Sequence, residues 1–155
     1  MSFTMTITRT NFFRVTDKAS FYKLMEKVHV TDDGELCIWE LEKDPSKVAF
    51  GCYGEIVGFM KAYPDIELPG MDKPVTIYDV YDDGYDDFLK ELQELLPEQE
   101  ACLITDISHT KLQSVHAHIA TVTKHSISYE GIWDTAVQKV RDQFDICNWD
   151  TQVEN

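Results

Sequence analysis

Residues 84 to 96 constrain the fold of this chain more than any other stretch. Tyr85, Phe88, Leu89, Leu92, Leu95 and Leu96 recur at helical spacing along one side, and Pro97 stops the run. A helix so one-sided needs a second layer to cover its stripe. The remaining segments supply strands for that layer. Phe3 to Thr8 alternate apolar residues with Thr, the period of a half-buried strand, and Phe12 to Val15 extend it or follow a bend. Thr16-Asp17 offers an N-cap to a first helix over about 17–28, whose stripe is Phe21, Leu24, Met25 and Val28. Asp32-Asp33-Gly34 is turn chemistry, and strands follow at 36–41, 48–53 and 56–60, the first two joined by a hairpin turn at Lys43-Asp44-Pro45-Ser46.

A loop with Pro64, Pro69, Gly70 and Pro74 is the one internal boundary the sequence offers. After it the order repeats: a strand at 75–80, the 84–96 helix, strands at 101–107, 115–123 and 126–129, and a last helix over about 132–146. That helix carries Trp133, Ala136, Val137, Val140 and Phe144. The two pattern-level halves, about 1–62 and 74–150, are each too small to close a core alone. The 155 residues are 43% hydrophobic, enough for one shared core. The expectation is a single α+β domain over 1–155, mostly antiparallel sheet with three helices on one side, built from two β-α-β-β-like halves.

Charge narrows the partner. The chain holds 28 acids against 14 Lys and Arg, a net −14, with only Arg9, Arg14 and Arg141 as arginines. Phosphates attract basic surfaces, so direct binding to nucleic acid or anionic membrane is not expected. No run approaches the roughly 18 apolar residues of a spanning helix, and the opening Met1 to Ile7 lacks the pattern of a signal peptide. Cys37, Cys52, Cys102 and Cys147 form no C-x-x-C, so free thiols in a reducing cytosol are expected.

The acids are concentrated. Between Asp79 and Glu100 nine of them face one base, Lys90, a net −8 in 22 residues. The candidate partner-binding residues are Asp79, Asp82, Asp83, Asp86, Asp87, Glu91 and Glu94. The last four lie opposite the leucine stripe, where neighbours at i, i+3 and i+4 stand roughly 5–6 Å apart, a spacing comparable to successive phosphates. Acids in a first turn also complement the helix dipole, and a charged outer face keeps any helix soluble. A second acidic cluster runs from Asp32 to Asp44, while residues 1–31 are slightly basic. Asp79 to Gly84 opens like an EF-hand loop but has Tyr81 at its third position and Lys90 at its twelfth, so it is not one.

His109, His116, His118 and His125 fall within 17 residues. His116 and His118 alternate along a strand and share a face. Pairing of 101–107 with 115–123 around a turn near 111 sets Asp106 opposite His116, with Cys102 further along the same face. Two histidines with a carboxylate or thiolate can hold zinc, so His116, His118, Asp106 and Cys102 are candidate ligands for a small metal-dependent enzyme. His109 and His125 are expected in turns. Motifs of acyl transfer, zinc proteolysis and phosphate binding are absent. Gly51, Gly54 and Gly58 read as strand bends.

Thr8-Arg9-Thr10-Asn11-Phe12-Phe13-Arg14-Val15-Thr16-Asp17, Phe50-Gly51-Cys52-Tyr53-Gly54 and Asn148-Trp149-Asp150-Thr151 resemble small acidic proteins carried on phages and mobile elements of gut Firmicutes. In size and charge the chain is similar to anti-CRISPR and anti-restriction proteins from such elements. The resemblance implies a non-enzymatic, cofactor-free inhibitor in the cytoplasm of a bacterial host, which binds a defence nuclease of Cas9 type and blocks its nucleic acid. It assigns no residue position by position.

Overall fold

The computed structural model describes residues 4–31, 34–110 and 114–148. The expected turn residues Asp32 and Asp33 and the segment Trp149 to Thr151 lie outside them. In chain order the elements are β1 (Thr4–Thr10), β2 (Phe13–Arg14), α1 (Lys18–Glu26), β3 (His29–Val30), β4 (Cys37–Leu41), β5 (Asp44–Tyr53), β6 (Ile56–Gly58), β7 (Met60–Ile66) and β8 (Val75–Val80). They continue as α2 (Gly84–Glu94), β9 (Ala101–Thr110), β10 (Ser114–Thr123), β11 (Ile127–Gly131) and α3 (Ile132–Phe144). The fold is α+β, with three helices and antiparallel strand pairing.

The main sheet runs β11-β10-β9-β1-β5, with β2 continuing on the β1 side of β5 and β4 on its other edge. The first strand is therefore central: Ile7 pairs with Tyr53 on one side and Ile107 on the other. The two sequence halves interleave in this sheet. Where β1 ends, the Asn11 side-chain amide replaces the ladder, donating to the Ala101 carbonyl at 3.0 Å and accepting from the Leu103 amide at 2.8 Å.

One face of the sheet carries the core. Val48, Phe50, Cys102, Ile104 and Val122 meet Phe21 and Leu24 of α1 and Phe88, Leu89 and Leu92 of α2, with Phe13 and Leu96 closing the margins. Phe13, Phe21, Phe50 and Phe88 form a connected ring cluster, mostly edge to face at about 6 Å. The N-cap of α1 is as expected, Asp17 accepting from the Ala19 amide and the Ser20 hydroxyl.

Three expectations need correction. The hairpin joining β4 and β5 turns at Glu42-Lys43, not at 43–46, and β5 begins at Asp44. Pro64 lies within β7, where the β7–β8 register shifts between Tyr63 and Ile66. A bulge tolerates proline's missing N–H, so the expected boundary is the tip of a hairpin and not a linker. The stripe of α3 faces no core: no residue of that helix is buried, and Phe144 is 55% exposed. The helix is tied to the sheet near its start, where Trp133 Nε1 donates to the Val115 carbonyl at 2.8 Å. No helix among the described residues is long and apolar enough to cross a membrane.

Two glycines let β6 pass the first turn of α2. Gly58 has φ +95°, and a Cβ there would lie 2.5 Å from the Gly84 carbonyl oxygen; a Cβ on Gly84 would strike the Phe59 carbonyl. The Phe59 amide donates to that same Gly84 carbonyl at 3.0 Å. Gly58→Ala therefore meets both a positive φ and backbone atoms that cannot move aside. It should cost about 2–4 kcal/mol, read as a lower urea midpoint with an unchanged slope.

Candidate functional site

The acidic segment wraps around the start of α2. Asp79 is exposed one residue before the end of β8, Asp82 and Asp83 form the exposed turn, and Asp86 and Asp87 occupy the first helical turn. Phe88, Leu89 and Leu92 turn inward, so the acids take the opposite arc as expected. They do not form a single file. Asp86 accepts from the Tyr129 hydroxyl of β11 at 2.6 Å, Asp87 accepts from the Tyr81 hydroxyl at 3.1 Å, and Glu91 pairs with Lys27 at 2.9 Å. Lys90, one turn beyond Asp86, sits inside the same arc. Tyrosine hydroxyls are neutral donors and leave the charge of Asp86 and Asp87 in place. The Lys27–Glu91 pair is about half exposed on both sides, where such pairs contribute roughly 0–1 kcal/mol.

Asp86 also links this arc to a cleft the sequence did not announce. The cleft, about 460 Å³, opens between α2, the sheet and the start of α3. Thr8, Ile104, Asp106, His118 and Ala120 form its floor, Tyr85 and Tyr129 stand at its walls, and Glu55 and Asp134 add carboxylates. Gly131 keeps the rim tight: a methyl group there would lie 3.1 Å from Asp134 Oδ2 and 3.3 Å from His118 Nδ1. Burial pushes the Asp106 carboxyl above the usual carboxylate range; nearby His118 partly opposes this and Glu55 adds to it. The Tyr129 phenol, desolvated and bonded to Asp86, is pushed up to about 12.

Half-buried Asp106 gives a pH test. Its raised native pKa means the folded chain holds a proton that the unfolded chain releases. Stability therefore falls as pH rises from the ordinary carboxylate pKa to the raised native one. Asp106→Asn should melt higher than wild type at neutral pH, with the difference closing below the ordinary carboxylate range. Parallel melting profiles across that range would show a carboxyl solvated alike in both states.

The register corrects the histidine geometry. Asp106 pairs with His118, and His116 lies opposite Ser108. The β9–β10 connection spans residues 111–113, outside the described residues, and centres on 112; moving the centre by one shifts each partner by two and preserves the face. The His116 and His118 rings stack 6.2 Å apart, but His116 Nε2 is engaged with Ser114 Oγ at 2.6 Å. Cys102 is fully buried opposite Val122, its thiol pushed well up by desolvation. Four residues along a strand span about 13 Å, so Cys102 and Asp106 cannot share one ion. Among the described residues no three His, Cys, Asp or Glu side chains come together as a metal site. His116, His118, Asp106 and Cys102 do not fit a zinc centre as arranged.

The other two histidines divide. His125 lies in the β10–β11 turn as expected, paired with Glu98 at 2.8 Å. His109 is instead within β9, between Met5 and Val115, with its Nδ1 buried and without a hydrogen-bond partner among the described residues.

No family model matches this chain, and comparison with curated proteins and with solved structures found no match.

Proposed function

We propose that this chain acts by binding rather than by catalysis, its acidic side docking on the basic nucleic-acid surface of a partner protein. The partner class suggested by the resemblance is a bacterial defence nuclease of Cas9 type, whose Lys/Arg-lined channel otherwise holds a heteroduplex. One observation carries the reading. The acidic arc of α2 and the carboxylate-bearing cleft are joined through the Asp86–Tyr129 hydrogen bond into one surface.

On this reading the exposed acids steer encounter, while the cleft receives one Lys or Arg side chain between Tyr85 and Tyr129, close to Asp106 and Asp134. Rim charges act mainly on the association rate, and the desolvated pair acts on dissociation. The experiment is a binding and cleavage assay with a guide-loaded Cas9-type nuclease. The chain should co-elute with it and reduce target-DNA binding, with affinity falling steeply from low to physiological salt. A nuclease that binds and cuts DNA unchanged at saturating inhibitor and low salt overturns this partner class.

A further inference from the structure

Helices α1 and α2 cover one face of the main sheet, and the other face is apolar and open. Ile7 lies at its middle, with Tyr53 and Ile107 as its cross-strand neighbours, and Met5, Val115 and Trp39 extend the patch. These six side chains are 38–79% exposed, Tyr53 the most and Trp39 the least. They are contiguous, unlike the scattered apolar residues normal on a surface. A trough of about 230 Å³ runs between Ile7, Trp39 and Tyr53, and the Arg9 guanidinium stacks over the Trp39 ring at 4.2 Å.

Charge is segregated with the same sharpness. Alternation along β1, β5, β9 and β10 puts no Asp or Glu on this face among the described residues; Asp106 points to the cleft side. Glu130, opposite Ile119, marks the border on the edge strand β11. In a chain of net −14 the face carries Arg9, stacked on an aromatic ring, and Lys47 of β5, with Glu130 at its edge. A basic partner gains nothing there.

We infer that this face is an isologous dimer interface and that its occupant is a second copy of the chain. Size supports it. Six strands at about 4.8 Å spacing and about 25 Å length present roughly 700 Å² in projection, close to the ~800 Å² each partner contributes to a standard interface. Geometry supports it as well, because an apolar sheet face is self-complementary under a two-fold axis and packs on its copy about 10 Å away, the arrangement of a β-sandwich. Net charge does not oppose it. Each acidic α2 lies about 10 Å behind its own sheet, so the two helices are separated by roughly 30 Å, several times the ~8 Å Debye length at physiological salt. Dimerisation places both acidic sides outward, leaving each free to dock.

Sedimentation equilibrium of the purified chain at 1–100 µM tests this. The expected species is a dimer of about twice the 17.9 kDa chain mass, with self-association unchanged or strengthened by salt. Ile7→Lys with Ile107→Lys should weaken the dimer at least 100-fold. Tyr53→Glu, at a position 79% exposed and so unable to disturb the core, should weaken it at least 10-fold with the circular dichroism spectrum intact. A wild type that stays monomeric at 100 µM overturns the inference, as does a folded Tyr53→Glu variant that dimerises like wild type. Reversing the acids of α2 should leave the dimer unaffected, which separates this surface from the docking side.

Discussion

Reversing Asp82, Asp83, Asp86 and Glu94 to lysine should abolish association with a guide-loaded Cas9-type nuclease, weakening it at least 100-fold, while the fold persists. All four are exposed, and none touches the Phe88, Leu89 and Leu92 stripe that holds α2 down. Glu91 is left alone because Lys27 already holds it. Each reversal replaces an attraction with a repulsion; at about 0.7–1 kcal/mol per reversal, four together reach roughly 3–4 kcal/mol. Surface substitutions of this kind usually alter stability within about 0.5 kcal/mol each, so melting checks the fold independently. A folded variant that still blocks the nuclease removes the acidic-docking reading. A variant that loses binding but keeps a salt-dependent residue of affinity would assign the remainder to the cleft.

Phe88→Ala should destabilise the protein by about 3–5 kcal/mol, the largest stability loss expected of any single substitution here. Phe88 is fully buried and its ring lies 6.1–6.3 Å from those of Phe50, Phe59 and Tyr85. Truncation removes the burial of a whole ring and three aromatic contacts, each about 0.5–1.5 kcal/mol beyond area alone. The neighbours belong to β5, the β6–β7 junction and α2, which cannot collapse together into the void. Against a typical total of about 5–15 kcal/mol the loss is a fifth of the stability or more. Chemical denaturation reads it directly; a loss below about 1 kcal/mol would mean that α2 is not anchored through this residue.

Sequence periodicity was informative where one face is buried and one is wet. The α2 stripe, the α1 cap at Asp17 and the core strands follow from it, because burial and alternation coincide there. It failed where an apolar pattern has no core to face. Trp133, Val137, Val140 and Phe144 repeat as a buried stripe would, yet α3 buries none of them. Periodicity reports that a face is apolar and says nothing of what covers it. Pro64 was misread because a bulge tolerates proline inside a strand. The cleft was illegible for a different reason: Glu55, Asp106, Tyr129 and Asp134 come from separate segments and meet only through the strand order β11-β10-β9-β1. Asp106 and His118 were both nominated, and only the pairing between them was displaced.

The central place of β1 has a consequence for synthesis. In the growing chain β1 is flanked by β5, which arrives some forty residues later, and by β9, whose last residue is Thr110. Until the second neighbour emerges, Ile7 and the adjoining backbone groups present an unpaired, hydrophobic edge. Sheets assembled from such distant partners nucleate slowly, since loop closure must be completed before the pairing rewards it. Nascent chains of this protein should therefore complete the sheet only after Thr110 has emerged. Arrest of translation before β9 should leave a product that associates through β1 and depends on chaperones.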